Sequence, residues 1–191
     1  VASMACYDII RDIIKNNGNY KENDKEKDKY KDKYKDKEND KENRDINIKI
    51  KWPNDVLING KKIAGILSEI SADMGQIKYA ITGIGVNINN NVFTEELKNI
   101  ATSLKKITKI RFNRVKIIQD ILYRFENYYN QLIQGKEDEL LSIWKKNLQL
   151  LGEKVRIINE SQTYEGIVKD ISSRGELILE EKSGKTHSFW S

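Results

Sequence analysis

Asn59-Gly60 stands between two aliphatic runs, Val56-Leu57-Ile58 and Lys62 to Ile70, and restricts the chain there to a tight antiparallel hairpin. Both residue types tolerate positive φ, which a two-residue turn matched to the strand twist requires. Upstream, Ile46 to Lys51 alternates aliphatic with polar side chains, the pattern of a strand with one buried face. Trp52-Pro53-Asn54-Asp55 breaks that alternation. Pro53 has no N–H and biases Trp52 away from helix, so the spacing predicts a turn or bulge. Two lysines, an amide and a carboxylate are thereby fixed on a mostly apolar hairpin. That arrangement suits an anionic small molecule.

The rest of the chain reads as further strands and helices around this hairpin. A strand over Ile77 to Thr82 is expected to run into Gly83-Ile84-Gly85-Val86-Asn87. Gly65 sits mid-strand, where glycine commonly marks close approach of a ligand or another backbone, and Gly83 and Gly85 repeat that logic. The first residues carry Ala2, Ala5, Cys6, Ile9, Ile13 and Ile14 at helical spacing, and Gly18-Asn19 is expected to end that helix. From Thr94 the chain is expected to turn helical. Val115, Ile118, Ile121, Leu122, Phe125, Tyr128, Tyr129 and Leu132 trace one long apolar face, and Leu140, Leu141, Trp144 and Leu148 a second helix. After Gly152, short strands over 154–158, 164–171, 177–180 and 186–190 suggest a small SH3-like barrel.

Charge is uneven along the 191 residues. Residues 21–44 hold ten basic and nine acidic side chains and no aliphatic one, too little apolar surface to offset ordering, so this run is expected to be disordered. The net charge of +5 lies almost entirely outside it. A pI near 9.0 by itself does not choose between nucleic acid, an acidic partner or neither. No apolar run approaches the ~18 residues needed to span a bilayer, and no secretory signal opens the sequence. One cysteine, Cys6, excludes an intrachain disulfide, fits a reducing cytoplasm and reads as a small core residue. His187, the only histidine, is expected at the surface, and no Cys/His cluster with metal-ligand spacing occurs, so no protein-held metal is expected.

K-W-P-N-D at 51–55, K-x-A-G-I-L at 62–67 and G-x-G-x-N at 83–87 together resemble the central motifs of biotin protein ligases. The resemblance implies an α+β fold: a mixed sheet with packed helices, similar to class II aminoacyl-tRNA synthetases, followed by the SH3-like barrel. It also implies activation of biotin by ATP with Mg²⁺ and transfer to a lysine of a biotin carboxyl carrier protein in the cytoplasm. Lys62 matches the lysine that contacts the biotin carboxylate and the activated phosphate. Asn54 and Asp55 match a pair beside the adenylate, where Asp55 could accept a hydrogen bond from the acceptor amine or deprotonate it. Lys51 could reach phosphate or water. Gly65, Gly83 and Gly85 would let main chain approach the ligand, and Asn87 could bond a phosphate or help hold Mg²⁺. Bland readings stand beside these: a solvated strand lysine for Lys62, an Asx turn for Asn54-Asp55.

The resemblance covers residues 1–20 and 46–191. The family's G-R-G-x-x-G-R loop, the strands ahead of the first helix and any helix-turn-helix have no counterpart here, and Ser191 falls short of the family's last strand. The chain therefore reads as an internal piece of a ligase: a partial catalytic domain over 1–150 with an insertion at 21–44, then a C-terminal domain over 151–191. Alone it is expected to be nearly inactive. A homodimer through an edge strand is compatible with the sequence, and a membrane partner is not expected. The competing readings are a lipoate or octanoyl transferase of related fold, a nucleic-acid-binding barrel, and an interaction tail built on 21–44. Few aromatics suited to base stacking in the barrel and the neutralised lysine run argue against nucleic acid.

Overall fold

The computed structural model describes residues 1–15, 20, 46–74, 76–159 and 162–190, so the run at 21–44 and the expected helix end at Gly18-Asn19 lie outside the described residues. A first sheet is formed by β1 (Ile48–Lys51), β2 (Asp55–Ile58), β3 (Lys61–Asp73) and β4 (Gln76–Val86) in the order β1-β2-β3-β4. Every ladder between these strands is antiparallel. The mixed sheet expected from the sequence is thus antiparallel, with one isolated parallel bridge, Lys62 to Ala101. Asn59 and Gly60 form the predicted turn with φ of 49° and 79°. The alternation at 46–51 places Ile48 and Ile50 in the core, as the pattern requires.

α1 (Ala2–Lys15) packs on β1, β2 and β3 and against α3 (Arg114–Ile133). Ala5, Cys6, Ile10 and Ile13 are fully buried, and burial pushes the Cys6 thiol up to about 12, which keeps it protonated. Asp8 is also buried, so this helix is covered on more sides than its apolar stripe suggests. Its carboxylate is answered by the Tyr128 hydroxyl at 2.5 Å and the Arg11 guanidinium at 3.2 Å, as a buried charge demands.

Two helical expectations are revised. The segment from Thr94 is turns until α2 (Leu104–Thr108), capped by the Ser103 hydroxyl. In α3 the buried line runs through Ile117 and Ile121. Val115, Ile118, Leu122, Tyr129 and Leu132 of the expected core stripe are exposed. The apolar residues of α3 form one arc of about half its circumference, wider than the line that packs, so periodicity alone did not fix which part of that face is buried.

α4 (Glu137–Leu148) buries Leu140 and Leu148 and leads into β5 (Lys154–Asn159), β6 (Gln162–Ile171), β7 (Leu177–Glu180) and β8 (Thr186–Phe189). These strands form an antiparallel meander in sequence order. Val168, Ile171, Leu177, Leu179 and Phe189 join the same buried cluster as α1 and the first sheet. A polar seam accompanies that packing: Lys145 meets Asp170 at 2.7 Å, and the Trp52 indole N–H donates to the Gly175 carbonyl at 3.1 Å. His187 is half-buried against Tyr164 rather than at the surface, with its Nε2 3.1 Å from Glu181.

Candidate functional site

Strand register gathers the sequence-predicted residues into one row. Lys51 faces Asp55, Asp55 faces Gly65, and Gly65 faces Gly85, across all four strands of the first sheet. Directly opposed residues project to the same face of a sheet. This is the face away from Ile50, Val56 and Ala64, which are buried in the core. Gly83 lies two residues before Gly85 and opposite Leu67, so a glycine-floored trough runs along this face beside the Leu67 side chain.

A bulge brings Lys62 to that face. Val56 pairs with Ala64, but Leu57 pairs with Lys62, so Ile63 is an extra residue in β3. In a regular strand Lys62 would share its side with Ala64 and Ile66. The inserted residue reverses the phase, buries Ile63 with Ala64, and turns Lys62 toward Asp55. Its ammonium lies 2.6 Å from Asp55 Oδ1, with the lysine half-exposed and the aspartate mostly covered. Gly65 makes room for this pair: a Cβ there would come within 2.7 Å of Lys62 Cε and 2.8 Å of its Nζ.

The supports around the pair are backbone bonds. Lys62 N–H donates to the Ile100 carbonyl at 2.7 Å, and Thr102 N–H donates to the Lys62 carbonyl at 2.9 Å. The 100–102 segment therefore clamps the lysine from the side opposite β2. Ile66 N–H donates to the Asn54 carbonyl at 3.1 Å, and the Asn54 side-chain amide donates back to the Ile66 carbonyl. Asn54 thus prolongs the β2–β3 ladder through the turn and fixes the residue before Asp55. Asn87 follows β4, its N–H bonded to the Ile63 carbonyl at 2.8 Å, so the bulge is held from both strands.

Lys51, Asn54, Asp55, Lys62, Gly65, Gly83, Gly85 and Asn87 are all brought to this end of the sheet. Lys51 is exposed at its rim. The sequence reading missed Leu67, the apolar residue that borders the trough beside Gly65. It also missed Asn89, whose buried amide bonds both the N–H and the carbonyl of Phe112, at 3.0 and 2.8 Å. An alternation count extended past Ile66 points to Leu67; nothing in the sequence distinguishes Asn89 from its neighbours. Among the described residues no three Cys, His, Asp or Glu side chains converge as a metal site.

A glycine trough bordered by Leu67, beside a clamped cation and its carboxylate, can receive a molecule ending in an anion. Residues 2–87 match the family model of the biotin/lipoate A/B protein ligase family, and residues 150–191 match that of the biotin protein ligase C-terminal domain. The bifunctional ligase/repressor BirA of Bacillus subtilis is 38% identical over 141 residues, 73% of this chain and 43% of that protein. The biotin--[acetyl-CoA-carboxylase] ligase of Mycobacterium tuberculosis is 31% identical over 134 residues, 69% of this chain and 47% of its own length. The chain thus spans less than half the length of these relatives. Among solved structures, the biotin protein ligase of Aquifex aeolicus in complex with biotin and ATP superimposes with a TM-score of 0.64 at 27% identity, covering 75% of this chain and 59% of that one.

Proposed function

This chain belongs to the biotin protein ligase family, and on that premise we propose that the whole protein joins biotin to a carrier-protein lysine at the expense of ATP. The observation that carries the reading is the Lys62–Asp55 pair, set by the bulge at Ile63 beside the Gly65–Gly85 trough. In the first half-reaction the biotin carboxylate attacks the α-phosphorus of ATP. A carboxyl–phosphate bond forms, the bond to the β-phosphate breaks, and pyrophosphate leaves. Lys62 neutralises the carboxylate and the charge that grows on the phosphoryl oxygens, already oriented and so with little reorganisation. Lys51 adds a second cation at the rim. Asn87 would donate its side-chain N–H to a phosphate or supply its neutral oxygen to help hold Mg²⁺.

In the second half-reaction the acceptor lysine attacks the activated carbonyl, a carbon–nitrogen bond forms, and AMP leaves. Asp55 accepts the amine's proton or hydrogen bond, while Asn54 holds it at that height. Gly65, Gly83, Gly85 and Leu67 line the apolar body of biotin. The acceptor would be the biotin carboxyl carrier protein of an acetyl-CoA carboxylase, the enzyme that two of the relatives are named for. Residues 1–150 correspond to a class II synthetase-like catalytic domain with its insertion at 21–44, and 151–191 to an SH3-like domain. The match of 150–191 to the biotin ligase C-terminal domain favours biotin over lipoate or octanoate. Among the described residues the edge of β3 beyond Ile66 has no strand beside it on the β2 side, which offers a second copy a place to form a homodimer. Among the described residues no helix is long and apolar enough to cross a membrane, and the reaction belongs with its carrier in the cytoplasm.

Biotin-dependent exchange of labelled pyrophosphate into ATP tests the first half-reaction in the whole protein. Exchange that requires biotin and is lost in Lys62→Ala supports the proposal. Exchange absent from the wild type, or untouched by that substitution, overturns it.

A further inference from the structure

The geometry points to the C-terminal sheet as a positioning element for the ligase site, acting through the Trp52 indole. This rests on the site proposed above; the contact itself does not. The indole N–H donates 3.1 Å to the Gly175 carbonyl, across 123 positions of sequence. Trp52 is the first residue of the turn that carries Asn54 and Asp55.

The receiving carbonyl belongs to a braced turn. The Ser172 hydroxyl oxygen accepts from the N–H groups of Arg174 and Glu176, at 3.2 and 3.1 Å, and its O–H donates to the Glu176 carboxylate at 2.8 Å. Ser172 N–H reaches the Glu176 carbonyl at 2.8 Å, and Gly175 N–H reaches the Ser172 carbonyl at 3.0 Å. Gly175 has φ of +89°, open to glycine and strained for other residues. Glu176 is buried. The turn has few alternatives, so the carbonyl it offers is fixed in place.

From Trp52 the constraint passes along a short, rigid path. Asn54 is two residues on and locked to both backbone groups of Ile66; Asp55 follows and meets Lys62. A cleft of about 380 Å³ borders the turn at Pro53 and Asn54 and reaches the first residues of the chain, Leu140 and Trp144 of α4, and Gly175. Trp52 and Ser172 are positioning residues: neither touches the trough, and each acts through Asn54 and Asp55.

The test is amide hydrogen exchange in the full chain, read at Ile66 N–H, in Trp52→Phe and Ser172→Ala. The first removes the indole donor and keeps an aromatic ring; the second loosens the turn without touching the site. Exchange at Ile66 is expected to quicken about tenfold in both, with Lys62 N–H, clamped by Ile100, unchanged. Ser172→Thr, which keeps the hydroxyl, should restore the wild-type rate. Equal Ile66 exchange in wild type and Ser172→Ala overturns the coupling, whether or not Trp52→Phe folds. Affinity for biotinyl-5′-AMP, measured on the same substitutions in the whole protein, should weaken about tenfold in parallel. Quickened exchange with undiminished affinity overturns the positioning role. A wild type that binds no adenylate instead refutes the ligase reading and leaves the exchange result to decide the coupling.

Discussion

At Gly65 a methyl group would occupy the space that Lys62 uses. The clash would be with the far end of a flexible side chain, so Gly65→Ala should move the ammonium rather than unfold the strand. Alanine also suits a strand better than glycine does. Expected, therefore, is a melting temperature unchanged or slightly raised, with affinity for biotinyl-5′-AMP about ten- to hundredfold weaker, the scale of a lost charge-assisted hydrogen bond. Differential scanning fluorimetry beside a ligand titration separates the two. Lys62, Asp55 and Gly65 were singled out through the motifs that resemble biotin protein ligases, and the structure brings the three together. The reason they meet was not legible: simple alternation places Lys62 on the wrong side of β3, and only the extra residue Ile63 corrects it. A bulge follows from how two strands must pair, and neither strand alone encodes it.

Elements here are joined by small polar brackets that composition does not reveal. Asn89 ties the end of the first sheet to Phe112, ahead of α3. Asn89→Ala strands two buried backbone groups and should lower unfolding free energy by roughly 2–4 kcal/mol in urea titration. Between α1 and α3, Tyr128 donates to buried Asp8, and burial together with that bond pushes its hydroxyl up to about 12. A phenol with a raised folded value keeps its proton longer in the native chain than in the unfolded one. Its contribution is thus intact below about pH 10 and is lost as pH rises toward about 12. Alkaline unfolding followed by circular dichroism should be shallower across that window in Tyr128→Phe. The strands and their turns were readable because Asn59-Gly60 and the 2-residue period are strong local signals. The part of α3 that packs was not, since its apolar arc is wider than the buried line through Ile117 and Ile121.

Across the whole molecule, one buried cluster runs from α1 through α4 into the C-terminal meander. Lys145 and Asp170 close its edge, and the hydrogen bond from the Lys145 ammonium holds the Asp170 carboxyl below the usual carboxylate range. That contribution is present above about pH 4 and lost as pH falls through the folded value; the pair is exposed enough for the effect to be small. Lys145→Met should accordingly flatten the acid limb of the stability profile only slightly. The meander's strands were plain in the sequence, but its attachment through Trp52 depends on a contact between distant residues that no local pattern records. The central claim concerns the ammonium held beside Asp55, and calorimetric titration of the whole protein with biotinyl-5′-AMP addresses it most directly. Tight binding by the wild type, weakened at least about tenfold in Lys62→Ala with folding intact, is the expected result. Equal affinity in the two proteins would contradict it.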